Sequence, residues 1–129
     1  MAEKQTAMTE AVYYILLSLQ RPNHGYGIIQ NTLELTGGRL ELGAGTLYGA
    51  LSTLMDKQWI RLYSEDKKSR RKKQYILTEQ GLLALQQEVR RLEELVENGR
   101  HVLSVNAADL EIPEERCLPA AEVIPGGIS

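Results

Sequence analysis

The chain has 129 residues, 43% hydrophobic and 25% charged, with a formal net charge of -2. That length suits one domain with room for a tail, and that composition supports a modest core. A single cysteine excludes an internal disulfide and points to a reducing compartment. Met1–Glu10 lacks an apolar signal stretch and no run reaches membrane-span length, so a cytoplasmic protein without membrane contact is expected.

Met8, Val12, Ile15, Leu16 and Leu19 recur at helical spacing, so the first element is a helix over 8–19. Thr6 or Thr9 can cap its start, and Pro22 ends it, because proline lacks a donor and restricts Arg21 before it. A second helix is expected from about Tyr26 to Leu35, with Ile29, Leu33 and Thr36 on one side and Gly37-Gly38 as its stop. Arg39–Leu42 alternates polar and apolar residues, which predicts a very short strand.

A third helix opens near Gly43, with Leu47, Leu51, Leu54 and Met55 as its buried stripe. Thr46, Gly49, Ser52 and Thr53 leave its other faces small and polar. Ile60–Tyr63 and Gln74–Leu77 read as two strands, and the loop between them carries DKKSRRKK. From Lys57 to Lys73 eight basic residues face two acidic ones, a local charge of +6 inside an acidic chain. Local sign decides what a phosphate backbone meets. An isolated basic run is more often a solvated turn, but this one lies between two strands directly after a small-faced helix.

Thr78 is placed to cap a long fourth helix. Its apolar positions, Leu82, Leu85, Val89, Leu92, Val96 and Leu103, follow a 3,4 spacing with Gly99 in the remaining slot. That is a heptad seam of about three heptads. A second copy of the chain is the expected cover, with some packing back on the first helix; Leu83, Leu95 and Val102 widen the stripe. From about Asn106, acidic residues, prolines and Gly126-Gly127 predict a flexible tail. The expected division is 1–77 for DNA binding, 78–105 for dimerisation and 106–129 for an acidic tail.

The fold class expected is mainly α with a small β-hairpin wing (α+β): a winged helix-turn-helix followed by a long dimerisation helix. Chemistry of other kinds finds little support. His24 and His101 stand on different elements, and one cysteine with two scattered histidines does not make a zinc site of the usual composition. Gly43-Ala44-Gly45 lacks the Lys-Ser/Thr of a phosphate loop and the third glycine of a dinucleotide fingerprint. No cofactor, metal or enzymatic activity is expected.

Duplex DNA, by contrast, gives each part a role. Ala44, Gly45 and Thr46 make a helix start slim enough to approach base edges. Thr46 can bond a base or phosphate, or bond within its own helix start; Tyr48 can reach a phosphate, or pack as a core tyrosine. Ser52 lies further along the same helix. Lys67, Lys68, Arg70, Arg71 and Lys72 supply contacts to the sugar-phosphate backbone or the minor groove. Trp59, at a helix-strand junction, is expected to pack in the core.

Three segments also carry a family resemblance: His24-Gly25-Tyr26-Gly27, Gly45–Leu51 (GTLYGAL) and Arg71–Gly81 (RKKQYILTEQG). In this order and spacing the chain resembles the PadR-type transcriptional regulators from about Thr9 to His101. The resemblance implies a winged-helix repressor, dimeric through its C-terminal helix, that leaves DNA when a small apolar or aromatic effector binds at the dimer interface. It also implies that the HGY segment supports the second helix and that GTLY opens the recognition helix. Gly43 stands where the family often has serine. Gln58 stands where it usually has glycine, at up to about 1 kcal/mol if that residue is left-handed. The partners implied are a pseudo-palindromic double-stranded operator and a second copy of the chain. The other reading is a winged-helix protein-interaction module with only non-specific DNA affinity.

Overall fold

The computed structural model describes residues 7–65 and 73–109, with side chains up to residue 104 and excepting Glu65. Its elements are α1 (Glu10–Leu17), β1 (Asn23–His24), α2 (Gly25–Leu35), α3 (Ala44–Asp56), β2 (Ile60–Glu65), β3 (Lys73–Leu77) and α4 (Glu79–Asp109). Four helices and one small antiparallel sheet make an α+β winged helix. The contacts divide the chain into a unit through Leu92 and a second from Glu93.

In the first unit the core is aliphatic, as a chain without phenylalanine requires. Ile15 and Leu16 from α1, and Leu19 from the turn after it, meet Ile28, Leu42, Leu47, Leu51, Leu54, Ile60, Tyr75 and Leu85. Thr9 caps α1, its Oγ1 accepting the Val12 N–H at 3.2 Å. Met8 and Trp59 lie partly buried against the core. α2 buries Gly25, Ile28 and Thr32. Ile29, Leu33 and Thr36 are only half-buried, so the inward face lies one residue round from the expected one. Thr32 can face inward because its hydroxyl donates to the Ile28 carbonyl at 2.9 Å, which satisfies the buried oxygen.

Two helix ends share one geometry. At the end of α2, the Gly38 N–H reaches the Leu33 carbonyl and the Gly37 N–H reaches that of Glu34. At the end of α3, the Trp59 N–H reaches Leu54 and the Gln58 N–H reaches Met55. Both are Schellman closures, which need a left-handed residue at the first position past the cap. Gly37 supplies it at φ 60; Gln58 supplies it at φ 62 without being glycine.

The sheet runs β1-β3-β2, antiparallel throughout. Asn23 and His24 pair with Tyr75 and Gln74, a strand too short for the sequence pattern to reveal. The expected strand over Arg39–Leu42 is absent: those residues form no regular element. Their backbone has no sheet partner there, and the alternation instead turns Leu42 into the core while Arg39 pairs with Glu10. Between β2 and β3 the register shifts at Leu62/Ser64, which marks a bulge at Tyr63. Met55 also departs from expectation. It is 40% exposed, on the edge of the stripe that buries Leu47, Leu51 and Leu54.

Thr78 joins the sheet to α4. Its Oγ1 accepts the Gly81 N–H and donates to the Gln58 carbonyl at 2.6 Å. Gly81 is required by close approach: a Cβ there would run into the Trp59 carbonyl. Leu85 and Glu88 of α4 are buried in the first unit. Arg91 donates to both Glu88 oxygens, at 2.9 and 2.6 Å, and the Met8 N–H adds a third bond. In the second unit, α4 is helical through Gly99 to Asp109. The helix therefore reaches four residues into the segment expected to be tail; the rest of that segment lies outside the described residues.

Candidate nucleic-acid interface

α3 is amphipathic in a particular way. Its inward line is Leu47, Leu51 and Leu54; the line opposite is Gly45, Gly49 and Ser52, by the 3.6-residue period. Ala44, Gly45, Thr46, Tyr48 and Ser52 are all exposed, as the sequence reading placed them. Gly43 caps the helix without a side-chain bond, so amides at its start keep no side-chain partner. A Cβ at Gly45 or Gly49 would meet no atom within 4 Å, so nothing inside the described protein requires glycine there. Glycine in a helix interior costs roughly 0.5–1 kcal/mol against alanine. The result is a helix whose backbone is bare along its outward line.

Tyr48 combines two environments. It is 53% exposed, yet its hydroxyl end rests over Gly25, where a Cβ would lie 2.6 Å from the oxygen. Tyr48 is thus not the core tyrosine weighed from the sequence: it stands outside the buried core, with its hydroxyl end against α2. The ring is seated on the start of α2, and its face remains open. Thr53 Oγ1 donates to the Gly49 carbonyl at 3.2 Å, so that hydroxyl is engaged inside the helix.

His24 and its neighbours build the seat beneath Tyr48. His24 Nδ1 accepts the Gly27 N–H at 3.1 Å and so caps α2. The Asn23 side chain accepts the His24 N–H at 2.9 Å. The sequence reading did not place His24 or Gly25 in the interface; the HGYG segment was the signal available.

Next to α3, β2 and β3 form the hairpin of the wing. Arg61 and Lys73 are exposed upon it, and Lys57 stacks over the Trp59 ring at 4.7 Å. Neither Lys57 nor Arg61 was among the expected DNA contacts, although both belong to the basic run. Lys67, Lys68, Arg70, Arg71 and Lys72 lie outside the described residues. Ser64 Oγ bonds Gln74 Oε1 at 2.9 Å and ties the two strands together.

The seam residues of α4 divide. Leu85 is 2% exposed and belongs to the core; Val89 and Leu92 are half-buried; Leu82, Val96 and Leu103 are exposed. Leu83, Leu95 and Val102 are exposed as well. No helix among the described residues is long and apolar enough to cross a membrane.

A family model described as the transcriptional regulator PadR-like family matches residues 14–87. Solved structures agree. A PadR-like transcription factor from Bacteroides fragilis is 28% identical, with a TM-score of 0.58 over 71% of this chain and 87% of its own. A transcriptional regulator from Clostridium thermocellum is 21% identical, with a TM-score of 0.61 over 71% and 90%. RosR of H. salinarum is 23% identical, with a TM-score of 0.56 over 80% and 96%; these last two show the fold alone. No curated protein gives a significant match.

Proposed function

This chain belongs to the transcriptional regulator PadR-like family, and from that premise we propose that it is a sequence-specific DNA-binding regulator that works as a homodimer. The observation that carries the reading is the outward line of α3. Two helical glycines face open space beside Thr46 and Ser52, a bare surface with no internal reason for its bareness. A major groove about 12 Å wide admits a helix, and a slim start brings its backbone and short hydroxyls to base edges. Thr46 and Ser52 read bases in this scheme, and Tyr48 holds a phosphate. The wing residues Lys67, Lys68, Arg70, Arg71 and Lys72, with Arg61, neutralise the flanking backbone.

Dimerisation is assigned to α4, over 78–105, through Leu82, Val89, Leu92, Val96 and Leu103. Leu85 supports the same helix from inside. The exposed leucines and valines of α4 favour this assignment, because apolar side chains at heptad spacing gain from a second helix. Two copies of α3 related by a two-fold axis require a pseudo-palindromic site. Repression, relieved by a small apolar or aromatic effector, completes the reading, and the protein acts in the cytoplasm without catalysis.

The test is a titration against duplex DNA from upstream of the chain's own gene, with scrambled DNA as competitor, at two salt concentrations. Affinity that survives the competitor and falls steeply with salt is expected. Weak affinity equal on both DNAs would instead favour a protein-interaction module.

A further inference from the structure

A line of contacts crosses the winged-helix unit from the wing to the recognition helix. Ser64 on β2 bonds Gln74 on β3. Gln74 stands opposite His24 in the sheet. The His24 imidazole caps α2, whose first residue, Gly25, lies directly under the Tyr48 hydroxyl. His24 is therefore fixed through its backbone to the base of the wing and through its side chain to the platform that carries Tyr48.

We propose that His24 is a positioning residue for DNA recognition, holding the Tyr48 phenol of α3 in register with the wing so that both engage one duplex together. This rests on the DNA-binding reading above and adds a residue that does not itself touch DNA. The imidazole acts through its Nδ1 lone pair. Without that acceptor the Gly27 N–H loses its cap, and the first turn of α2 is free to fray. Fraying lifts Gly25 from beneath Tyr48. The phenol then samples several positions, and only the fraction correctly seated binds with full affinity. Asn23 reinforces the geometry. Its Oδ1 accepts the His24 N–H, and it lies so close to Gly27 that a Cβ there would collide with it.

The test uses the full chain and the upstream duplex, with scrambled DNA as reference. His24→Ala should weaken operator binding about 2- to 30-fold, the range expected from losing one side-chain cap. Scrambled DNA should weaken by a similar factor, because a phosphate contact carries no sequence information. His24→Asn keeps an oxygen acceptor at the cap and should restore most of the loss. Gly25→Ala displaces the phenol without touching the cap, and should reproduce the loss even where His24→Ala proves too unstable to assay. In a double-mutant cycle, His24→Ala and Tyr48→Ala should be strongly non-additive, because each removes the same seated phenol. Independent losses from the two changes would overturn the proposal. So would operator binding by His24→Ala or Gly25→Ala as tight as the wild type's. Failure of the wild type to prefer the operator would remove the DNA reading itself, and this proposal with it.

Discussion

Gln58→Gly should make this protein more stable, and the reason is a comparison within one chain. The ends of α2 and α3 use the same pair of backbone bonds, each with a left-handed residue at the position after the cap. Gly37 fills that position without penalty, since it has no Cβ to crowd the following carbonyl. Gln58 fills it at φ 62 with a Cβ present. A left-handed non-glycine residue costs roughly 1–2 kcal/mol. Glycine returns about 0.4–1 kcal/mol of that by enlarging the unfolded ensemble. The expected net gain is about 0.5–1 kcal/mol. The backbone bonds stay: the Gln58 carbonyl still accepts from Thr78, and the Trp59 N–H still closes on Leu54.

Urea unfolding followed by Trp59 fluorescence measures the effect, because the sole indole adjoins the altered residue. The midpoint should rise with an unchanged slope. Gln58→Asn should fall between, since asparagine tolerates this conformation better than glutamine. Gly37→Ala, the mirror experiment, should destabilise by about 1 kcal/mol. A Gln58→Gly protein no more stable than wild type, beside a destabilised Gly37→Ala, would show that the glutamine side chain contributes more than its strain costs.

Thr78→Ala removes both the α4 cap and the hydroxyl bond to Gln58, and should cost about 1–2 kcal/mol by chemical denaturation. Glu88 is held below the usual carboxylate range first by the Arg91 guanidinium and then by the Met8 N–H, against the opposing effect of burial. A depressed folded-state pKa means stability present above the unfolded value and lost as pH falls through the folded one. Wild-type stability should therefore decline below about pH 4.5. Glu88→Gln should show a shallower decline and be less stable than wild type at neutral pH, because Arg91 and the Met8 N–H lose their carboxylate acceptor. Replacing Lys67, Lys68, Arg70 and Arg71 by alanine should weaken binding to all duplexes alike and flatten the log-log salt slope by about 3–4, read from titrations at several salt concentrations. Val96→Glu with Leu103→Glu should yield a folded monomer in sedimentation while leaving the melting of the first unit intact; a persistent dimer would place association elsewhere.

Periodicity carried the helices because the core takes one continuous stripe from each. It could not say which neighbour lies opposite each stripe. That is why α2 turned Ile28 and Thr32 inward rather than Ile29 and Leu33: a threonine hydroxyl satisfied by its own helix packs like a small apolar group, and a polarity pattern does not register this. The 3,4 spacing of α4 likewise treats Leu85 and Val96 as equivalent, whereas one is 2% exposed and the other 50%. The alternation at Arg39–Leu42 was genuine, but a strand needs a partner, and the third place in the sheet belongs to Asn23-His24. Those two residues have no strand signature of their own. On α3 the small and polar part of the exposed set was legible because it stands against three leucines, whereas Met55, on the edge of that stripe, was not.

The three sequence segments that carry the family resemblance turn out to be three sides of one set of contacts. Gly25, in the first, admits the hydroxyl end of Tyr48, in the second. Asn23 and His24 pair with Tyr75 and Gln74, in the third. Gly81, closing the third, admits the carbonyl of Trp59, which follows the left-handed Gln58 at the end of α3. Gly25 and Gly81 are thus points where another element's atoms occupy the place of a side chain. Gly45 and Gly49 differ from these: they stand on α3, and no atom of the described protein fills the space before them. Glycines that admit a neighbour explain themselves within the fold. Two helical glycines that admit nothing weaken their own helix, and the surface they leave bare makes structural sense once a second molecule is brought against it.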